Sequence, residues 1–568
     1  MPTATGAATP SSAGVKTETA RLNALLERAA RGETPALDEV QALTQAADRT
    51  IRGQAKRLLS FVLMSHARQS AATLMADACE DFDYREPTTL HETLQHLQGL
   101  GQAPALIAFN MRAAERLAAH GQLAPALVHL QNAVVTDIGA DSTRVNDPKF
   151  IRQLATAYER LAEKSREAAR IQSPPRGRRR SPSGGKLRLA HVTAQLVDGG
   201  HAPSRSIETM LKFADRERFD TYLCITESLA KHELHANQLF SSETSARRAP
   251  NRIRRYEQEL GIPVLAPRDR RTFITAAADL HAQFAEHEID VAFFHGSAAT
   301  PTEWLMCAWQ SAPWQADAGF GVPLHCPAVD YQFFEFEETM ETLAFLCRER
   351  GIPYGFKASG ADMSHVEEAT AFTREELGIP ADHVILGTVG NHLPQRMSAR
   401  FCRCAARVMR ACPKTTFVAV GPGDFSVQRE AFGGDLCAGE RARVRFVGHQ
   451  NEPARMTKAF DIYLNSYPDG GGFVLGDAMA ASKPVIATVV GDSTFARAGA
   501  TWIGEENIVR PNTDEAYAAR MKMLIEQPEA RTELGRRMRK RYEEKFDARR
   551  WVGHMTDRIW DIVRADLQ

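Results

Sequence analysis

Three consecutive glycines, Gly470, Gly471 and Gly472, stand between a short apolar run over 462–464 and a small-residue helix predicted over 474–481, with a second apolar strand at 484–488. A turn stripped of every Cβ ahead of a helix leaves backbone N–H groups and the positive end of the helix dipole open to an anion, and suits a phosphate or pyrophosphate. The amides of Gly470, Gly471, Gly472 and Phe473 are candidates to meet that anion. Asp477, about one turn inside the helix, is placed to accept hydrogen bonds from ribose hydroxyls instead of from phosphates. A tight turn with no ligand is spelled in the same way, so the rest of the chain has to decide between the two.

Such a turn needs a parallel sheet beneath it, and the chain alternates strands and helices over most of its second and third parts. Residues 187–193, 219–225, 263–265 and 289–294 read as strands, separated by helices over 204–214, 253–260 and 272–286: a doubly wound α/β domain over residues 186–375. A second set opens with a strand over 384–389 and a helix over 399–411. It continues with strands at 416–420 and 444–447 and with the glycine stretch, giving a second Rossmann-like domain over residues 376–568 that ends in helices. A last helix from about Arg549 is expected to cross back to the first of these domains. Two such domains in series bring their strand carboxyl ends to one cleft.

Residues 16–170 read as all-α. Leu22, Leu25 and Leu26 mark one apolar face and Leu58, Leu59, Phe61, Val62 and Leu63 another, and the run from Ala114 to Leu127 is a helical hairpin broken at Gly121. That hairpin is similar to a tetratricopeptide unit, but no second copy follows at the repeat length, so a helical bundle is expected. Residues 171–185 combine Pro, Ser and Gly with four arginines and no apolar period, which makes them a linker whose basic run is solvated. Residues 1–15 form a loose tail. They lack the charged start and apolar centre of a secretory signal, and a cytoplasmic location is expected.

At 568 residues the chain is too long for one core. With 43% apolar and 25% charged residues it has a globular composition, and no uninterrupted apolar stretch is long enough to suggest a membrane span. A formal net charge of zero gives no general pull toward nucleic acid. Nine cysteines without a CxxC pair argue against a disulfide framework or a zinc site and are expected to be small buried hydrophobes.

Four segments in order resemble one family. Lys186 to Thr193, then Asp198-Gly199-Gly200-His201-Ala202-Pro203-Ser204, then Asp215 to Tyr222, are similar to the opening strand, histidine loop and second strand of the O-GlcNAc transferase family, which also contains bacterial cytoplasmic protein N-glucosyltransferases. Ala312-Pro313-Trp314-Gln315 through Gly321-Val322-Pro323 and Asp330-Tyr331 resembles a second family segment, Gly387-Thr388-Val389-Gly390-Asn391 a third, and Asp469 to Asp477 the glycine-rich donor turn. The likeness spans roughly residues 187–546.

The resemblance implies two Rossmann-like domains in the GT-B glycosyltransferase architecture, preceded by the all-α domain. It implies transfer of a hexose or N-acetylhexosamine from a nucleotide-activated, UDP-linked donor to a protein side chain that the helical domain holds. The alternatives are a lipid-linked or polysaccharide acceptor, or a sugar-nucleotide-binding protein without activity. No cofactor or metal is implied beyond the donor itself, and no Asp-x-Asp pair stands where a metal would be expected. Where the family commonly has a lysine to hold the donor pyrophosphate this chain has Gln395, and Arg396 beside it takes the charge. Asn391 and His449 join Arg396, the glycine turn and Asp477 on the donor side, with His449 where a nucleotide base would sit. His201 is the general base or positions the acceptor. Asp330 and Gln315 are read as structural. Inversion at the sugar carbon is implied, although Asp469-x7-Asp477 is also similar to the Glu-x7-Glu spacing of a retaining group.

Overall fold

Short apolar strands joined by helices bury both their faces only in parallel sheets covered on each side, and the computed structural model contains two such sheets. It describes residues 12–31, 33–63, 67–78, 81, 103–140, 147–172, 185–194, 196, 198, 202–226, 249–319, 323–335, 337–357, 360–468, 470–490 and 494–567. The first sheet comprises β1 (Leu187–Thr193), β2 (Phe219–Ile225), β3 (Val264–Leu265), β4 (Val291–Phe294), β5 (Trp314–Asp317), β6 (Tyr331–Phe334) and β7 (Tyr354–Phe356) in the order β3-β2-β1-β4-β5-β6-β7. The second comprises β8 (Val384–Val389), β9 (Thr415–Val420), β10 (Val444–Phe446), β11 (Ile462–Leu464) and β12 (Val485–Ile486) in the order β10-β9-β8-β11-β12. Every neighbouring pair is parallel.

The apolar pattern does not announce β5 and β6, because polar side chains occupy buried positions in both. Gln315 donates from Nε2 to the carbonyls of Cys307 and Ala328, and Asp317 accepts from the amides of Gly319 and Leu324. Gln332 Nε2 donates to the Phe333 carbonyl. The Asp330 carboxylate accepts from the Gln315 amide at 2.8 Å and so fixes the start of β5, a structural role.

The helices preceding the first sheet form two bodies of apolar contact. Ser12–Ala30, Leu37–Leu43 and Arg49–Leu63 enclose Leu22, Leu25, Val40, Leu43, Ile51 and Leu58 in a small core of their own. The hairpin Ala103–Ala119 and Leu123–Ala140, which turns at Gly121 with φ +76°, and the helix Pro148–Ala169 instead share a core with the first sheet. Tyr158 stacks on Trp304 with ring centroids 4.9 Å apart and donates from its hydroxyl to the Ala298 carbonyl at 2.7 Å. Trp309 Nε1 returns a hydrogen bond to the Ala162 carbonyl, and Gln131 Nε2 donates to the Ala299 carbonyl. The helical layer therefore holds the loop that follows β4.

The last helix, Ala548–Leu567, belongs in sequence to the second α/β domain but buries Trp551, Val552, Met555 and Ile559 against Leu187, Leu189, Phe219, Phe293 and Trp314 of the first sheet. Arg218 pairs with Asp557 across this contact at 2.6 Å. Seven of the eight described cysteines are buried and Cys437 is exposed, while Cys79 lies outside the described residues. Where burial pushes a thiol upward, to about 12 at Cys402 for instance, it keeps that thiol unreactive. No described helix is long and apolar enough to cross a membrane.

Candidate donor site

An open parallel sheet offers a crevice at its carboxyl edge where the chain, having laid strands to one side, returns to lay them on the other. In the second sheet that point falls between β8 and β11, which are direct neighbours. Strand β8 runs into Gly390, Asn391 and the short helix Leu393–Arg396, and β11 runs into the glycine turn and the helix Phe473–Ala480. Asn391, Arg396, Gly470, Gly471, Gly472, Phe473 and Asp477 thus stand on the two loops that border one crevice. His449 follows β10, at the sheet edge two strands from the crevice, and is exposed. His201 and Asp469 lie outside the described residues.

The turn is shaped by a residue that sequence reasoning missed. Asn465, 3% exposed just after β11, accepts a hydrogen bond on Oδ1 from the Gly471 amide at 2.9 Å. The Gly471 amide is thereby already donated, which corrects the expectation that all four amides from Gly470 to Phe473 are open to an anion. A Cβ on Gly470 would run into the Asn465 carboxamide and one on Gly471 into Val474, whereas one on Gly472 would meet only Trp502 Nε1 at 3.6 Å. Gly472 precedes the helix and has no side-chain cap, so the helix mouth at Gly472 and Phe473 is the part of the turn suited to an anion.

Asp477 is engaged from across the interdomain cleft. Arg205, on the helix Ala202–Lys212 of the first domain, donates from Nη2 to Asp477 Oδ1 at 2.8 Å and from Nη1 to Oδ2 at 3.1 Å. His365 Nε2 lies 3.6 Å from Oδ1. It sits on the helix Ser364–Glu368 in the segment connecting the two domains, which is tied to the first by a hydrogen bond from the Asp362 amide to Thr209 Oγ1 at 2.7 Å. Burial lowers the pKa of the His365 imidazole against the opposing pull of Asp477. No local spacing could have revealed Arg205, since its partner lies 272 residues away.

Arg396 closes the short helix and is half-buried. Between the two loops the buried Tyr463 hydroxyl donates to the Val389 carbonyl at 3.1 Å, joining β11 to the end of β8. Burial raises the pKa of this phenol.

The corresponding crevice of the first sheet, between β1 and β4, has buried titratable groups near it. Glu303, on the helix Pro301–Ala308 after β4, is fully buried and accepts from Thr226 Oγ1 just after β2 at 3.1 Å. Burial pushes its carboxyl up to about 8. His191 Nδ1 and His295 Nε2 lie 2.9 Å apart, and burial takes His191 down to about 4 and His295 well below its usual value. Asp317 is pushed up by burial to about 6. Among the described residues no three His, Cys, Asp or Glu side chains converge as a metal site requires.

Residues 383–527, which contain β8 to β12 and both crevice loops, match the family model described as glycosyl transferases group 1. This match covers about a quarter of the chain, and the two parallel α/β sheets preceded by helices have the GT-B architecture. Among solved structures, an O-GlcNAc transferase mutant from Thermobaculum terrenum is 16% identical over 98% of this chain and 99% of its own, with a TM-score of 0.49. Anabaena HepE in complex with UDP and glucose is 14% identical over 66% of this chain and 100% of its own, with a TM-score of 0.47. A glycosyltransferase from Rickettsia africae is 12% identical over 66% of this chain and 99% of its own, with a TM-score of 0.49. Likenesses this distant carry neither a substrate nor a residue's role to this chain. No curated protein matches it in sequence.

Proposed function

We propose that the protein transfers a hexose or N-acetylhexosamine from a UDP-linked donor to a protein side chain, with inversion and without a metal ion. The observation that carries this reading is the placement, on the neighbouring loops after β8 and β11, of Arg396 and of an uncapped helix mouth at Gly472 and Phe473 with Asp477 about one turn inside. Charge grows on the diphosphate as its bond to the sugar breaks. Helix amides and a guanidinium fixed beforehand stabilise that charge without reorganising. Asp477 accepts from the ribose hydroxyls, Asn391 borders the donor from the β8 loop, and His449 stands on the outer side of the base. His201 acts as the general base or positions the acceptor. The protein acceptor lies against the helical layer, a reading supported by the grip of Tyr158 and Gln131 on the loop after β4 at the rim of the first-sheet crevice.

The test is incubation with labelled sugar nucleotides and lysate proteins in the presence of a chelator, followed by location of the label. Label on protein side chains, undiminished by chelator, is the expected result. Label confined to lipid or polysaccharide would overturn the protein acceptor. Activity lost with chelator and restored by manganese or magnesium would overturn the metal-free mechanism, and donor bound without any transfer would make the protein a sugar-nucleotide sensor.

A further inference from the structure

Arg205 and Asp477 are each only 14% exposed at the side chain, and they come from different domains. Charges held this far from water need a partner at every stage, because stranding one of them is far costlier than breaking a surface ion pair. On the proposed reading of Asp477 as the ribose ligand, on which this inference rests, a ligand that brought only hydroxyls would satisfy the carboxylate and weaken the hold on Arg205. A nucleoside diphosphate brings both complements: vicinal hydroxyls that donate to Asp477 and phosphate oxygens that accept from a guanidinium. The helix sets the spacing, since Phe473 at its mouth and Asp477 are four residues apart, about 6 Å along the axis. That is comparable to the separation of a ribose diol from the diphosphate on the same nucleotide, and an arginine covers it by rotating about its side-chain bonds.

We propose that Arg205 is a donor-binding residue contributed by the first domain, holding Asp477 while the cleft is empty and passing to the diphosphate when the donor enters. Donor binding then exchanges partners within a closed set of charges. His365, beside Oδ1 of Asp477, stays with the carboxylate through the exchange. Met363, whose Sδ accepts from Arg205 Nη2 at 2.8 Å, is an uncharged neighbour that the guanidinium leaves without stranding a charge.

The test compares ligands with and without phosphates. UDP, GDP and ADP are titrated into the full-length protein beside their own nucleosides, by calorimetry where binding is tight and by NMR where it is weak. The readout is the ratio of diphosphate affinity to nucleoside affinity. Arg205→Met is expected to lower this ratio tenfold or more, and Arg205→Gln, which still hydrogen-bonds Asp477 but carries no charge, is expected to lower it similarly and provides a second route should the methionine variant misfold. An arginine that only covers Asp477 would, on removal, tighten both ligands equally, so an unchanged ratio in a folded variant overturns the proposal. If the wild type binds none of the three diphosphates, the proposed function itself falls and takes this inference with it; binding by the wild type with an unchanged ratio in the variants sinks this inference alone.

Discussion

Gly470→Ala and Gly472→Ala, two residues apart in one turn, should have opposite consequences for stability and for donor binding. The new Cβ at position 470 collides with Asn465, which is 3% exposed and pinned by the hydrogen bond it accepts from the Gly471 amide at 2.9 Å. Overpacking of this kind costs about 1–3 kcal/mol and loss of the hydrogen bond about 0.5–1.5 kcal/mol. A total near 3 kcal/mol corresponds to a fall in Tm of roughly 6–12 °C for a domain of this size. Asn465→Ala combined with Gly470→Ala should cost less than the sum of the single variants, because the first removes what the second strikes. At position 472 the Cβ meets only Trp502 Nε1 at 3.6 Å, with φ at −96°, so Tm should stay close to that of the wild type. The same Cβ stands at the helix mouth, and pushing a phosphate back from its amides by even about 1.4 kcal/mol weakens donor binding about tenfold. Scanning calorimetry and UDP titration separate the two effects. A folded Gly472→Ala protein with wild-type UDP affinity would refute the placement of the diphosphate, and an unchanged Tm in Gly470→Ala would refute the role given to Asn465.

Asp477→Asn removes a charge-assisted hydrogen bond worth about 1.5–3 kcal/mol in ground and transition states alike, so steady-state kinetics should show a donor KM raised roughly ten- to a hundredfold with kcat little altered. Arg396→Ala should lower kcat, and equal loss of KM and kcat effects in both variants would contradict the division of roles. Glu303, with its pKa raised by burial from 4.5 to about 8, contributes stability that is complete below about pH 4.5 and lost as pH rises toward 8. Glu303→Gln stays neutral throughout and should therefore lose less stability than the wild type between pH 5 and pH 9, by an amount on the order of a few kcal/mol, whereas parallel melting profiles would mean that Glu303 is ionised in the fold. A chain begun at Ala103 keeps the helices that cover Trp304 and Trp309 and should retain both UDP binding and cooperative melting. One begun at Gly185 exposes those indoles and should lose cooperative unfolding, and equal melting of the two would mean that the helical layer adds nothing to the first-sheet core.

The strands β8 and β11 were legible as short apolar runs, β1 and β2 as segments rich in Leu, Val, Ile and aromatic residues despite Arg188, His191 and Asp220, and the glycine turn because the period changes on either side of it. By contrast, β5 and β6 were hidden by Gln315, Asp317 and Gln332, whose polarity is satisfied by hydrogen bonds that no pattern of hydrophobicity encodes. Amphipathic spacing told that the helices over 103–169 bury a face but not what they bury it against, and the answer is the first sheet itself. In the candidate donor site, the crevice loops followed from strand order, while Asn465 and Arg205 did not. The first acts on a glycine six residues away through a backbone amide, and the second meets its carboxylate only when two domains come together.

A nucleotide-activated donor bound between the β8 and β11 loops is tested most directly by a crystal structure of the protein with UDP. The expected density has the diphosphate against the amides of Gly472 and Phe473 with Arg396 alongside, and the ribose hydroxyls within hydrogen-bonding distance of Asp477. UDP seated elsewhere, in the crevice of the first sheet for example, or failing to bind at saturating concentration, would contradict it.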